Sequence, residues 1–393
     1  MDNQLYYFAP VECFAADEPC DDAEVGQLVN TAARSVNYFG LQFDEAIYTT
    51  APQLVRVHFD LDFDSACKIS TYLLKIEKSL NAYLNRNGCR CYLDNGLTVE
   101  IPRAQRQTVR MRQFLIREYQ RMKLPAVLGI DSNGHQLVID LADAPHLLIA
   151  GQTGSGKSVC LNDILISISQ FRHPADAQFL LIDPKQVELS KYACVPHLAG
   201  PIATTPEEAL NALHWAVDEM ERRYTILRQR GAAGLDLVPG LFPRLVIAID
   251  ELALIMQSYK KEFATLISRL TAIGKDAGIH LIITTQYPNS KTITGEVKAN
   301  IPARIAFRTG SNSDSRTILD MTGAEKLVGN GDGLFLAHGA GVAVRFQACY
   351  LSPEEINTAC YYAWLNTPQG RKEQRKQKRK NNSNSFFSRF FHN

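Results

Sequence analysis

Leu147-Leu148-Ile149-Ala150-Gly151-Gln152-Thr153-Gly154-Ser155-Gly156-Lys157-Ser158 is the stretch whose reading decides the fold. Its last eight residues fit the phosphate-cradling pattern G-x-x-x-x-G-K-[ST], which is informative only between a strand and a helix. The four apolar residues ahead of it suit a buried strand, and Leu161, Ile164, Leu165 and Ile168 follow at helical spacing. Gly151, Gly154 and Gly156 let the backbone turn tightly and aim N–H groups at phosphate oxygens, where a helix N-terminus also favours anions. In such a loop Gln152, Thr153 and Ser155 complete the cradle, Lys157 reaches the β- and γ-phosphates, and the Ser158 hydroxyl binds the metal. The cofactors expected are ATP and Mg²⁺.

About ninety residues later stands Leu245-Val246-Ile247-Ala248-Ile249-Asp250-Glu251. The near-continuous apolar run reads as a parallel strand buried on both faces. Asp250 at its end is the expected Mg²⁺ carboxylate, and Glu251 the general base that polarises an attacking water. The competing reading is a carboxylate pair that caps the next helix. An Asp-Glu pair, rather than Asp alone, favours hydrolysis over nucleotide binding.

The 393 residues, 46% hydrophobic, suffice for two domains with their own cores. The net charge of +1 conceals an uneven distribution: residues 1–33 contain no Lys or Arg, whereas residues 371–380 hold seven basic residues and one Glu. The start, Met-Asp-Asn-Gln, does not read as a signal peptide, and no run approaches the roughly eighteen apolar residues of a membrane span. The nine Cys are scattered, which argues for buried thiols in a reducing compartment rather than a disulfide framework.

Four segments are expected: an acidic N-terminal stretch, 1–44; a small α/β domain, 45–125; a motor-like α/β domain, 126–366; and a basic tail ending in aromatics, 367–393. In the small domain, 53–63 alternates as a strand, 66–84 is helical by spacing, and 99–102 is a second strand. The arginine-rich segment 103–121 reads as a solvated face, a nucleic-acid contact or a subunit contact. Beyond it, strands are expected at 179–182, 245–249, 280–285 and 304–308, with a hairpin over 333–350. Thr205, Pro206 and Gly231 bracket a long helix between them. This alternation implies a largely parallel sheet covered by helices. The tail, with Phe386-Phe387-Ser388-Arg389-Phe390-Phe391, is either solvated or a docking element for DNA phosphates, an anionic membrane surface or a partner groove.

A further ordered series extends the two nucleotide motifs. Pro145-His146-Leu147-Leu148 leads into the loop; Ile182-Asp183-Pro184-Lys185 and Glu188-Leu189-Ser190 follow, then Glu219-Met220-Glu221-Arg222-Arg223-Tyr224 and Ala277-Gly278-Ile279-His280. Lys298-Ala299-Asn300-Ile301-Pro302-Ala303-Arg304-Ile305-Ala306-Phe307, Asp314-Ser315-Arg316-Thr317-Ile318-Leu319-Asp320 and Gly331-Asp332-Gly333 complete it, and Arg106-Gln107-Thr108-Val109 resembles a pre-motor segment. From about residue 45 to 357 the chain resembles the motor of the FtsK/SpoIIIE family of double-stranded DNA translocases. The resemblance implies a RecA-like P-loop ATPase fold and a homo-oligomeric ring, a hexamer, with nucleotide at the subunit contacts and duplex DNA in the channel. It implies that Gln286 senses the γ-phosphate, the alternative being ordinary strand-end hydrogen bonding. It also implies an arginine supplied in trans, Arg304 first and Arg316 second, and DNA phosphate contacts from Arg316 and Lys326.

The chain departs from the family pattern in lacking spans ahead of the motor, and the 27 residues after Asn366 cannot hold a winged helix. Leu254 replaces an acid and Tyr287 an arginine common in relatives. The expectation is a cytoplasmic ATP-driven DNA translocase that serves a mobile element, plasmid or phage, with membrane association only through a partner held by the tail. Its alternative is a conjugative coupling or secretion-system ATPase that delivers DNA or protein to a membrane channel. A nucleotide-gated scaffold is disfavoured by the intact Lys157, Asp250, Glu251 and Gln286.

Overall fold

A computed structural model describes residues 9–16, 23–286, 288 and 295–375. Tyr287, the acidic residues at 17–22 and the aromatic tail end lie outside the described residues. Helix α1 (Val25–Tyr38) is followed by β1 (Phe43–Thr50), β2 (Leu54–Leu61), α2 (Phe63–Lys68), α3 (Leu73–Leu84), β3 (Arg90–Leu93) and β4 (Leu97–Pro102). These strands form an antiparallel sheet in the order β1-β2-β4-β3. Val55, Val57 and Phe59, at every second position of β2, face Leu97, Val99 and Ile101 of β4 and the apolar stripes of α1 and α3.

Two differences from the sequence reading follow from packing. The single helix expected over 66–84 is split by a 3-10 turn at Ile69–Thr71, and its first part starts where Asp62 accepts the Ser65 N–H at 2.8 Å. The acidic N-terminal stretch is not separate. Leu28, Ala32 and Val36 of α1 fill the small-domain core, while Ala9 and Phe14 are buried in the core of the larger domain. Helix α1 itself holds no acid; its apolar spacing lies just past the acidic residues that end at Glu24.

The larger domain runs β5 (Pro125–Asp131), β6 (Gln136–Asp140), β7 (His146–Ala150), α4 (Lys157–Phe171), β8 (Ala177–Ile182) and α5 (Pro206–Gln229). It continues with β9 (Arg244–Ile249), α6 (Leu252–Ile255), α7 (Lys260–Ile273), β10 (Ile279–Thr285), α8 (Gly295–Asn300), β11 (Ala303–Phe307) and α9 (Asn312–Leu319). The hairpin β12 (Asp332–Leu336) and β13 (Val344–Ala348) and helix α10 (Pro353–Leu365) close it. Helix α5 has the expected start: Thr205 accepts the Glu208 N–H, Glu208 answers with its side chain, and Pro206 occupies the first helical position.

One sheet of nine strands runs β6-β5-β13-β12-β11-β7-β10-β9-β8. From β11 to β8 all neighbours are parallel, and their strands read Ile/Leu/Val/Ala because helices cover both faces. From β12 to β6 the pairing is antiparallel. The parallel half is the RecA-like P-loop arrangement expected; the antiparallel half extends it because 125–140 and 332–348 are two hairpins. Strand β10 lies between β7 and β9, so three loops converge at the C-terminal edge of the parallel half, where such sheets bind ligands.

The arginine-rich segment also differs from a solvated face. Val109, Met111 and Phe114 are buried in the larger core, Arg103 is buried, and Arg106 donates to the Gly329 carbonyl at 3.0 Å. Among the described residues no helix is long and apolar enough to cross a membrane.

Candidate active site

The loop from β7 to α4 is held from three sides. Gln152 N–H donates to Arg308 O at 2.8 Å, Ser155 Oγ to Gln152 O at 2.6 Å, and Gly331 N–H to Ser155 O at 2.9 Å. Gly156 has φ 122°, and a Cβ there would stand 2.9 Å from the Gly331 Cα. No L side chain is accommodated in that contact. Helix α4 starts at Lys157, so its first N–H groups have no acceptors within the helix and face the loop cavity. Lys157 Nζ donates to Gln152 O at 2.6 Å inside its own loop. Burial pushes its pKa down to about 8, opposed by the negative charges of Glu251 and Asp250.

The acidic pair ends β9 beside β10. Thr284 Oγ donates to Asp250 Oδ1 at 3.0 Å and accepts the Glu251 N–H at 3.2 Å, so one hydroxyl sets both residues. Burial, with Asp183 nearby, raises the Asp250 carboxyl to about 6 in spite of that hydrogen bond. Glu251 is 1% exposed and has φ 62°, a left-handed conformation that costs a non-glycine residue roughly 1–2 kcal/mol. Its carboxylate accepts from Thr285 Oγ and Gln286 N–H, each at 3.2 Å, and pairs with Lys185 Nζ at 3.3 Å. Glu251 is the residue before α6, yet its side chain makes no capping bond, which removes the helix-cap reading of the pair. A strained, buried carboxylate with one cation beside it is the feature expected of a poised base.

Gln286 closes the third side: its N–H binds Glu251, and its Oε1 accepts from Thr153 Oγ at 2.8 Å. Its backbone thus touches the candidate base and its side chain the phosphate loop. Thr153, Gly154, Gly156, Lys157, Ser158 and Gln286 line a cavity of about 440 Å³ that continues to Asn330, Gly331 and Tyr350. A larger cavity of about 1000 Å³ beside Trp364 and Thr367 does not include the loop; the acidic pair lines neither cavity and meets the smaller one through Gln286. The donor set fits a Mg²⁺-nucleotide: N–H groups and an ammonium for phosphates, Ser158 hydroxyl and Asp250 carboxylate for the cation.

The remaining expected residues lie elsewhere. Arg304, on β11, donates to the carbonyls of Lys298, Ile301 and Ile318 and pairs with Asp320 at 2.6 Å. Asp320 is itself 62% exposed, so the guanidinium reaches an anion at the molecular surface. Arg316 is exposed on α9. Lys326, expected to face a channel, instead binds Glu77 of the small domain at 2.6 Å. Sequence reasoning gave no role to Lys185, Thr284 or Thr285. Their signal was position alone: each lies at or just past the end of a strand that neighbours β9.

The sequence model of the FtsK/SpoIIIE family matches residues 111–241. The chain is 44% identical over 275 residues to the DNA translocase SftA of Bacillus subtilis (strain 168), covering 67% of this chain and 29% of the relative. It is 35% identical over 372 residues to the DNA translocase FtsK of Clostridium acetobutylicum, covering 89% of this chain and 48% of the relative. The chain therefore spans less than half the length of these relatives. Among solved structures, the pCW3 conjugation coupling protein TcpA with ATPγS superposes with a TM-score of 0.58 at 22% identity, over 87% of this chain and all of that one. The cytoplasmic domain of the Thermomonospora curvata type VII secretion ATPase EccC gives 0.53 at 25% identity, over 60% and 30%.

Proposed function

Because this chain belongs to the FtsK/SpoIIIE family, we propose that it is an ATP-driven double-stranded DNA translocase acting as a homo-oligomeric ring, a hexamer. The observation that carries the reading is the buried Glu251 carboxylate at the end of β9, paired with Lys185 and linked to the phosphate loop through Gln286. Bound Mg²⁺-ATP supplies the phosphoanhydride bond and the cation that neutralises its charge. Lys157 then exchanges the Gln152 carbonyl for phosphate oxygens, and Glu251 orients a water and takes its proton. Gln286, bonded to both loop and base, is the residue suited to report the γ-phosphate.

Arg304 remains the proposed trans residue, with Arg316 second. Its guanidinium already holds an anion in the exposed Asp320, so a neighbour's phosphate can take that place without a new buried charge. Arg316 is the proposed contact to DNA phosphates; Lys326, committed to Glu77, is not carried forward. The reading has the chain act in the cytoplasm, for a plasmid, phage or other mobile element, with its basic tail as the link to a membrane-anchored or protein partner.

The test is steady-state ATP hydrolysis with and without long linear duplex DNA at low and moderate salt, with Glu251→Gln as control. Salt-sensitive stimulation by duplex supports the translocase. A basal rate indifferent to DNA refutes it and favours a conjugative coupling or secretion-system ATPase. A Glu251→Gln protein with wild-type turnover overturns the site itself.

A further inference from the structure

The two domains are joined by an ion network buried beside the nucleotide loop. Arg345 on β13 is 2% exposed. Its Nε and Nη2 donate to the two carboxylate oxygens of Asp332 at 2.9 and 2.7 Å. Its Nη1 crosses to the small domain, donating to Glu100 Oε2 at 3.2 Å and to the Gly88 carbonyl at 3.0 Å. Tyr92 OH donates to the other Glu100 oxygen at 3.1 Å, which ties the network to both β3 and β4.

The other end of the network reaches the phosphate loop. Asp332 directly follows Gly331, whose N–H binds the Ser155 carbonyl and whose Cα lies against Gly156. Val328 N–H donates to Asp332 at 2.9 Å, Arg106 to Gly329 O at 3.0 Å, and Gln347 to Asn330 O at 2.9 Å. Residues 329–332 therefore touch the phosphate loop on one side and are gripped from the small domain on the other. Gly329, Gly331 and Asp332 are buried, and Asn330, though exposed, is held through its carbonyl by Gln347.

We propose that Asp332, Arg345 and Glu100 form the coupling element through which nucleotide in the loop is sensed by the small domain, with Arg345 as the positioning residue at its centre. This rests on the nucleotide reading above. Stability is a poor account of such a network, since apolar residues of similar volume often replace buried ion pairs without loss. A rigid link is a better one. Phosphate entering the loop draws Lys157 off the Gln152 carbonyl and reorders the backbone around Ser155 and Gly156, whose carbonyl and Cα respectively are what Gly331 rests on. Packed interiors transmit such shifts rather than damp them, and stretching the Arg345 pairs would leave a charge buried and unpaired. The half-buried pair between Lys326 and Glu77 links the same two domains without contacting the loop.

The test is hydrogen–deuterium exchange of the full chain, with and without Mg²⁺-ATPγS, in the wild type and in Arg345→Met and Glu100→Gln variants. In the wild type, ATPγS slows exchange both in the loop, 151–158, and in 88–102 of the small domain, by about fivefold or more for a coupling of ordinary size. Each variant binds ATPγS within about threefold of the wild type and keeps loop protection, because none of the substituted atoms touches the cavity, but loses the response in 88–102. Glu100→Gln keeps the inference testable if Arg345→Met does not fold. A variant that retains the wild-type response in 88–102, or a wild type whose loop is protected while 88–102 is unmoved, overturns the coupling. A wild type with no protection of the loop overturns the nucleotide reading and the coupling together.

Discussion

Thr284→Val isolates what a single buried hydroxyl does to the acidic pair. The side chain keeps nearly the same shape but no longer donates to Asp250 Oδ1 or accepts from Glu251 N–H. A hydrogen bond to a charged group is worth about 1.5–3 kcal/mol, and at 1.36 kcal/mol per unit its loss raises the Asp250 pKa by about one to two units. Asp250 already sits at about 6, pushed up first by burial. Mg²⁺ needs the carboxylate form, so hydrolysis at low fixed Mg²⁺ should fall as pH drops through about 6 in the wild type and about one unit higher or more in the variant. Stability moves with pH in the opposite sense. A carboxyl raised above its unfolded value of 3.8 contributes fully below that value and loses its contribution as pH rises to about 6. The variant extends that loss towards neutrality, so its metal-free form melts lower at neutral pH. The assay is a pH–rate profile paired with thermal melts, with Thr284→Ser, which restores the hydroxyl, as control. An acid limb unmoved in a folded Thr284→Val protein refutes the role given to Asp250.

Lys157 predicts the opposite limb: with its pKa lowered to about 8, ATPγS affinity measured by calorimetry should weaken about tenfold between pH 7 and pH 9 as the ammonium loses its proton. A flat affinity over that range contradicts it. Lys185→Ala removes the cation paired with Glu251 and should lower kcat by about tenfold or more while the KM for ATP stays within a few-fold; an equal change in KM would assign Lys185 to binding instead. Gly331→Ala forces a side chain onto φ 86° with its Cβ 2.6 Å from Gln347 Nε2. The conformational cost alone, about 1–2 kcal/mol, should lower Tm by about 2–4 °C, and an unchanged melt would show that the 329–332 strip is less constrained than described.

How much of this was legible depended on how local each feature is. The loop, its flanking strand and helix, the α5 cap and the apolar strands were readable because neighbours in sequence make those structures: Gly151, Gly154 and Gly156 shape one turn, and Thr205 bonds a residue three positions on. The Asp250-Glu251 pair was readable because it ends its own strand. Helix α1 was missed because its apolar spacing, Leu28, Ala32 and Val36, becomes meaningful only against β2 and α3. The sheet was expected to be largely parallel, and its second half is antiparallel because two hairpins pair across long separations.

From the sequence alone came the residues of the candidate site, since a glycine-rich loop is one contiguous backbone segment and an acidic strand end another. Tertiary structure alone decided how those pieces work together. Insertion of β10 between β7 and β9 brings Thr284, Thr285 and Gln286 onto the acidic pair, and the β8 end brings Lys185 to Glu251. The same holds for Lys326, which a linear reading turns towards a channel and the fold turns to Glu77, and for Arg345, which only the meeting of two domains places between Asp332 and Glu100. Ion pairs and hydrogen bonds depend on distance in space, and residues 245 positions apart in the chain come within 3.2 Å only after the sheet has chosen its strand order.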